Sequence, residues 1–258
     1  MRTFAEPAPA KVLDRLHWQQ RQEQYWGEIS TSYDDLYQSK WSRFENAWVS
    51  RRLSFVRELA WPTVIDLGCG TGLGRRLLRD VNPAIRYVGV DISAAMARLT
   101  ADPEDDAKVI VGAMDDLSAL ADDSADVVIA LFTSLSFAYD TSAVLTEVGR
   151  VLRAGGHAYL SALSATSRSW VTRRTVREGV YRTRGDLRPG AGVPVRLIGV
   201  HDMRRHAAAA GLTTVSVAGM NSMSGALEIP QLWYVGRFVA RLVPATAHTL
   251  EFHLRKFG

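Results

Sequence analysis

Hydrophobic spacing along the chain changes character at about residue 62. Before it the period is helical: Leu13, Leu16 and Gln20 recur one turn apart, and within ENAWVSRRLSFVREL the residues Ala47, Val49, Leu53, Val56 and Leu59 form a mainly apolar stripe. Pro62 ends that region, and short apolar runs separated by helical stretches follow. The pattern predicts strands at 63–66, 86–90, 108–111, 126–131 and 157–162, with helices at 72–80, 93–100, 117–120 and 141–152. Gly155 and Gly156 read as the stop of the last of these helices. A basic, Gly- and Pro-containing stretch at 164–199 interrupts the alternation. It resumes with a helix at 202–210, a Gly211 cap, a strand at 213–218, an amphipathic stretch at 232–242 and a last strand at 248–254. Strands alternating with helices predict an α/β fold with a doubly wound, seven-stranded, mostly parallel sheet. The domain reading is a helical N-terminal cap at 1–60 and one domain at 61–258 carrying the 164–199 insertion, with no internal repeat.

Composition narrows the class. The 258 residues, 47% of them hydrophobic, suffice for a full-sized core. No apolar run approaches the roughly 20 residues of a bilayer helix, and the first ten residues lack the charged-then-apolar order of a secretory signal. The single cysteine, Cys69, excludes an internal disulfide and a cysteine metal cage, and zinc-ligand spacing is lacking, so a cytoplasmic protein without a bound metal is expected. The net charge of +4 is unevenly spread: residues 150–205 hold twelve Arg and no Lys against Glu178, Asp186 and Asp202. The positive charge is therefore a segment set against a mildly acidic remainder.

The chemistry-bearing motif is VIDLGCGTGLG at 64–74, which follows a predicted strand and opens a helix. Gly68, Gly70 and Gly72 make a tight turn whose missing side chains let a ligand approach the backbone. Asp91 ends the second strand 23 residues beyond Gly68, the separation at which an acid reaches a ribose. That spacing suits a nicotinamide or an adenosyl ligand equally. Asp66, just before the turn, would repel a pyrophosphate but suits an ammonium. The chain also lacks a Tyr-x-x-x-Lys dyad for hydride chemistry, and GAMDDL at 112–117 offers an amide and carboxylates to a base such as adenine.

These residues, with GVDIS at 89–93, DDLSALADDSADVVIALFTSLSF at 115–137 and EVGRVLRAGGHAYLS at 147–161, resemble the class I S-adenosylmethionine-dependent methyltransferase superfamily of small-molecule type, whose fold is Rossmann-like. The resemblance runs from about Tyr33 to the C-terminus; YDDLY at 33–37 ahead of Trp41 resembles the helical cap of small-molecule members. It implies S-adenosylmethionine as cofactor. The glycine turn would hold the methionine moiety, Asp66 would act on its ammonium, Asp91 would accept the ribose hydroxyls, and Ile92 would pack on adenine. Ala113 stands where much of the family has an acid, so the adenine amino group falls to Asp115 or Asp116, with Met114 offering its backbone amide. Leu131 to Ser134, including Phe132, would pass under the sulfonium, and Tyr33, Cys69 and Met96 complete the implied cofactor set. Cys69 reads as a small buried filler, with no cationic partner placed by sequence to activate it.

Methyl transfer from a sulfonium is an in-line displacement, in which a protein mainly aligns the reactants and excludes water. Where the acceptor must lose a proton, Tyr33 and His201 are the candidate catalytic groups. Tyr37, Phe137, Tyr139, Trp170 and Arg184 are the candidate acceptor contacts, Arg184 through its guanidinium fork. The Asn/Asp-Pro-Pro-Tyr run of exocyclic amino methyltransferases is absent after the fourth strand, where LFTSLSF stands instead. The expected function is methyl transfer to an N or O atom of a small molecule such as a specialised metabolite. The alternatives are an RNA or protein methyltransferase using the Arg-rich insertion and a non-methylating protein of the same fold. A net charge of only +4 and the lack of an RNA-binding module argue against a nucleic-acid partner. No membrane partner is expected, and the oligomeric state is open, a homodimer included.

Overall fold

The structure, a computed structural model, describes residues 13–101, 107–166, 176–177, 180–181, 192–220, 222 and 229–258. Its N-terminal part holds helices α1 (Arg15–Ile29) and α2 (Lys40–Arg52). Strands β1 (Thr63–Leu67), β2 (Arg86–Asp91), β3 (Lys108–Val111), β4 (Ala125–Ala130) and β5 (Leu152–Leu163) follow, with α3 (Leu73–Val81), α4 (Ala94–Thr100) and α5 (Thr141–Val151) between them. Short strands β6 (Val176–Arg177), β7 (Val180–Tyr181) and β8 (Val193–Pro194) come next, then α6 (Val200–Ala209), β9 (Leu212–Gly219), α7 (Trp233–Leu242) and β10 (Thr249–Lys256).

Seven strands form one sheet in the order β3-β2-β1-β4-β5-β10-β9, and β6, β7 and β8 form a separate small sheet. The first five strands of the large sheet are parallel, and β10 runs antiparallel to both β5 and β9. Chain order reverses on either side of β1, which leaves a crevice beyond the carboxyl ends of β1 and β4, where ligands bind in open α/β sheets. The expected doubly wound, mostly parallel sheet is present.

Strand side chains alternate between two apolar layers. Val128 and Ala130 of β4 pack with α5 and α6 residues such as Leu145, Val148 and Met203. Val127 and Ile129, one position out of phase, join Val64, Leu78 and Tyr159 on the other face. Such double-sided burial is why the central strands read as unbroken apolar runs. Helix starts are fixed locally: the side chains of Asp14, Ser39, Ser93 and Asp140 each accept a hydrogen bond from a backbone N–H of the first turn they precede.

Four local expectations change. Residues 117–120 are turn, because the Leu117 N–H donates to Glu147 and Arg150 donates to the Leu117 and Leu120 carbonyls, replacing helical bonds with side-chain ones. Gly155 and Gly156 lie inside β5: α5 already stops at Val151, and Gly155, at φ +81°, sits where the β4–β5 register slips. On α1 the buried face is Trp18, Gln22, Tyr25 and Ile29, whereas Leu16 is exposed. Finally, α2 belongs to the core, since Trp41 packs edge-on against Trp233 at 4.7 Å and Val49, Leu53 and Val56 join the same layer. Among the described residues of the N-terminal part, α1 and the turns through Tyr37 line the crevice.

Candidate functional site

A cleft of about 990 Å³ opens at that crevice, floored by the strand ends and roofed by α1. Asp66, Gly68, Cys69, Gly70, Asp91, Ile92, Met96, Met114, Asp115, Leu131, Phe132, Tyr33, Tyr37, Phe137 and Tyr139 all line it, so fifteen of the sequence candidates converge on one space. Gly72 does not line it; it caps α3 in the left-handed conformation and backs onto Thr100. Trp170 and Arg184 lie outside the described residues. His201, on the exposed first turn of α6, is not among the lining residues, so its candidacy as a catalytic group fails on position.

The glycine turn is held from two sides. Asp91 accepts the Gly70 N–H at 2.8 Å through one carboxylate oxygen and the Ser93 N–H at 2.8 Å through the other. The acid that ends β2 thus shapes the loop as well as facing the cleft. A Cβ built on Gly70, at φ +56°, meets nothing within 4 Å, so the room above this residue is open to a ligand. At Gly74 the opposite holds, for a Cβ there would collide with Asp66 Oδ2. That carboxylate accepts the Tyr87 hydroxyl at 2.7 Å, and burial pushes its pKa up to about 7 despite that bond. Burial likewise raises Asp91, against the pull of its two amide bonds. Cys69 is buried with its thiol shifted upward by desolvation and neighbouring carboxylates, which leaves it unreactive at neutral pH.

Past β4 the chain turns sharply, with Phe132 at φ +50° and Thr133 at +67°. Left-handed backbone at two successive non-glycine residues costs on the order of 1–3 kcal/mol each. Ser161 Oγ accepts the Thr133 N–H at 2.8 Å, and Ser134 Oγ donates to the Leu67 carbonyl at 2.9 Å, which pins the turn against β5 and β1. The strain sets Phe132 on the cleft wall.

Beyond β3, Asp115 is the acid inside. Its Oδ1 pairs with Arg15 at 3.0 Å, while its buried Oδ2 finds no hydrogen-bond partner among the described residues. Asp116 is exposed and accepts the Ser118 N–H at 3.2 Å. Of the two acids, only Asp115 lines the cleft.

The roof is aromatic. Trp18 Nε1 donates to the Phe137 carbonyl at 2.9 Å, and Gln22, accepting from Trp26 Nε1 at 2.8 Å, donates to the Pro194 carbonyl at 2.7 Å. Trp26 meets Phe137 edge-on at 4.9 Å, and Tyr33 stands 4.9 Å from Tyr37 with their hydroxyls 3.2 Å apart. Asp34 accepts the Thr71 hydroxyl and lies 3.6 Å from Arg76, which ties the roof to the glycine turn. Sequence reading missed Trp18, Gln22 and Thr71, although Trp18, Gln22 and Trp26 recur at the i, i+4, i+8 spacing of one helix face. Tyr33 is buried, and desolvation raises its hydroxyl to about 12, so it stays protonated at neutral pH and cannot serve there as a resting base.

Fit to an adenosylmethionine follows from the described residues: the open room above Gly70 and the orphaned oxygen of Asp115 mark places for a ligand in a cleft already lined by Asp66 and Asp91. Among the described residues, no group of three or more His, Cys, Asp or Glu is placed to hold a metal, and no helix is long and apolar enough to cross a membrane.

Comparisons with known proteins agree. The family model for the methyltransferase domain matches residues 65–160. No curated protein matches the chain. Among solved structures, the chain is similar to the Haloferax volcanii methyltransferase in complex with the Trm112 activator: 22% identity, 92% of this chain and 96% of the other, TM-score 0.60. It is similar at 14% identity to Burkholderia thailandensis 1,6-didemethyltoxoflavin-N1-methyltransferase with bound 1,6-didemethyltoxoflavin and S-adenosylhomocysteine, over 98% and 94% of the two chains, TM-score 0.62. The [4+2]-cyclase SpnF aligns at 15% identity over 93% and 96%, TM-score 0.63. At these identities the three structures speak for the fold alone. With the family match across the glycine turn and the cleft built around it, residues 65–160 carry a methyltransferase domain, for which S-adenosylmethionine is the cofactor.

Proposed function

We propose that the protein transfers a methyl group to a nitrogen or oxygen atom of a planar, largely apolar small molecule. The observation that carries this reading is the aromatic lining of the cleft, made by Trp18, Trp26, Tyr37, Phe132, Phe137 and Tyr139. Aromatic walls hold a flat molecule by offset and edge-on contacts, and they keep water from the reacting atoms.

Bound in the cleft, S-adenosylmethionine supplies an electrophilic methyl on a sulfonium, for in-line transfer. The chain's own residues do the rest. Asp91 accepts the ribose hydroxyls, Asp66 the ammonium, and Asp115 the adenine amino group. Phe132, fixed by its strained turn, and Trp26, held by Gln22, set the plane of the acceptor. Tyr33 remains protonated and orients through Tyr37. With no His or unclaimed carboxylate among the described lining residues, the acceptor brings its own unprotonated nucleophile. A heteroaromatic nitrogen and a phenol of low pKa both meet that requirement.

The test is mass-spectrometric identification of co-purified ligand, followed by a screen of planar N- and O-nucleophiles with isotopically labelled cofactor. Labelled product formed in step with S-adenosylhomocysteine supports the reading; labelled RNA or protein, with every small molecule unmodified, overturns it. Turnover by the purified chain alone would also show that it needs no activator subunit such as the one bound to its Haloferax relative. Asp91→Asn replaces one of the two oxygens that hold the Gly70 and Ser93 amides, so the melting temperature should fall along with cofactor affinity, the affinity of the folded protein by about tenfold or more.

A further inference from the structure

Arg15 begins α1, a hundred residues from the loop after β3, yet its Nη2 lies 3.0 Å from Asp115 Oδ1 and 3.4 Å from the Asp115 backbone carbonyl. One guanidinium nitrogen therefore grips both the side chain and the main chain of a single residue. The partners are unequal: the Arg15 side chain is 46% exposed and that of Asp115 only 2%. The second carboxylate oxygen has no hydrogen-bond partner among the described residues, although the Asp115 and Asp140 backbone amides both face the carboxylate and favour its ionised form. A buried acceptor left unpaired costs free energy, and its natural complement is a donor on a ligand in the same cleft. Adenine offers one donor group, its exocyclic amine, and Ala113 and the solvent-facing Asp116 leave Asp115 as the acid to receive it.

We propose that Arg15 is a positioning residue for the cofactor, holding Asp115 from the roof helix so that its free oxygen accepts a hydrogen bond from the adenine amino group. The proposal rests on the adenine reading of Asp115 given above. Burial works against ionisation of Asp115, and the Arg15 charge opposes that tendency, so the same contact that orients the carboxylate keeps its acceptor strong. Because Arg15 belongs to α1, the roof and the base-recognition loop are coupled: the contact exists only with the helix seated, and a bound adenine strengthens that seat.

Isothermal calorimetry with two ligands separates the readings. S-adenosylhomocysteine carries the amino group; S-inosylhomocysteine replaces it with an oxygen. Arg15→Ala should weaken S-adenosylhomocysteine about tenfold and leave S-inosylhomocysteine within about twofold, because only the former uses the positioned oxygen. Asp115→Asn should also weaken S-adenosylhomocysteine selectively, and adding Arg15→Ala to it should change little, the signature of two residues acting through one contact. Arg15→Lys, which keeps the charge on a shorter and more strongly hydrated head, should fall between. Equal loss of both ligands in Arg15→Ala would reduce Arg15 to a helix anchor and overturn the proposal, as would no loss. Wild-type affinity in Asp115→Asn would instead remove the adenine reading itself, and the proposal with it.

Discussion

On the proposed placement of the cofactor ammonium beside Asp66, cofactor binding should depend on pH in a way that can be worked out. In the cofactor-free protein its carboxyl titrates at about 7, raised by burial against the single hydrogen bond from Tyr87. An ammonium seated beside it favours the ionised form, so binding expels the proton. The sign follows: affinity is weakest at low pH and rises until the free protein is already ionised, above pH 7. If the bound-state pKa returns toward the ordinary 3.8, about three units are recovered, an upper limit of about 4 kcal/mol. At pH 6 roughly nine-tenths of the free protein is protonated, which makes the affinity about tenfold weaker than at pH 8, and at pH 7 about twofold weaker. Calorimetric titration with S-adenosylhomocysteine at half-unit steps from pH 5.5 to 8.5, repeated in buffers of different ionisation enthalpy, reads both the affinity and the protons released. Asp66→Asn keeps an acceptor for Tyr87 and should flatten the profile. A flat wild-type profile between pH 6 and 8, or an unchanged slope in the Asn variant, refutes the reasoning. The same raised pKa lowers the stability of the free protein as pH climbs from about 4 to about 7, since the folded state then holds a proton that the unfolded chain has released.

Three further outcomes are expected. Gly70→Val should abolish measurable cofactor binding in a folded protein, because its side chain enters the open room above the turn and because φ +56° disfavours a β-branched residue; near-normal binding would place the ligand elsewhere. Trp41→Ala should destabilise the protein by about 3–5 kcal/mol in chemical denaturation, since the ring is 1% exposed and packed on Trp233; a loss below about 1 kcal/mol would return α2 to the lid. Hydrogen exchange with and without S-adenosylhomocysteine should show ligand protection across 20–37 and little change across 41–52, and equal protection of 20–37 in the two ligand states would mean the roof is fixed scaffold.

The sequence alone was sufficient for the fold class and for the residues that line the glycine-turn side of the cleft, for a physical reason. Those features are local: a strand, a turn with glycines where side chains would intrude, and an acid at the end of the next strand are all set within about 30 residues, as Asp66, Gly70 and Asp91 show. Buried parallel strands also announce themselves, because β4 is packed on both faces and must be apolar throughout. What the sequence left undecided depends on contacts between distant segments. The 117–120 stretch has helical composition, but Glu147 and Arg150 reach across and take its backbone groups. Trp41 and Trp26 look alike in an aromatic-rich cap, yet one meets Trp233 in the core and the other meets Phe137 over the cleft. His201 has the chemistry of a base but not the place, since α6 carries it into solvent. Asp115 and Asp116 are indistinguishable as neighbours in a string; the tertiary fold buries one beneath Arg15 and leaves the other in water, because only the folded chain brings α1 across the end of β3.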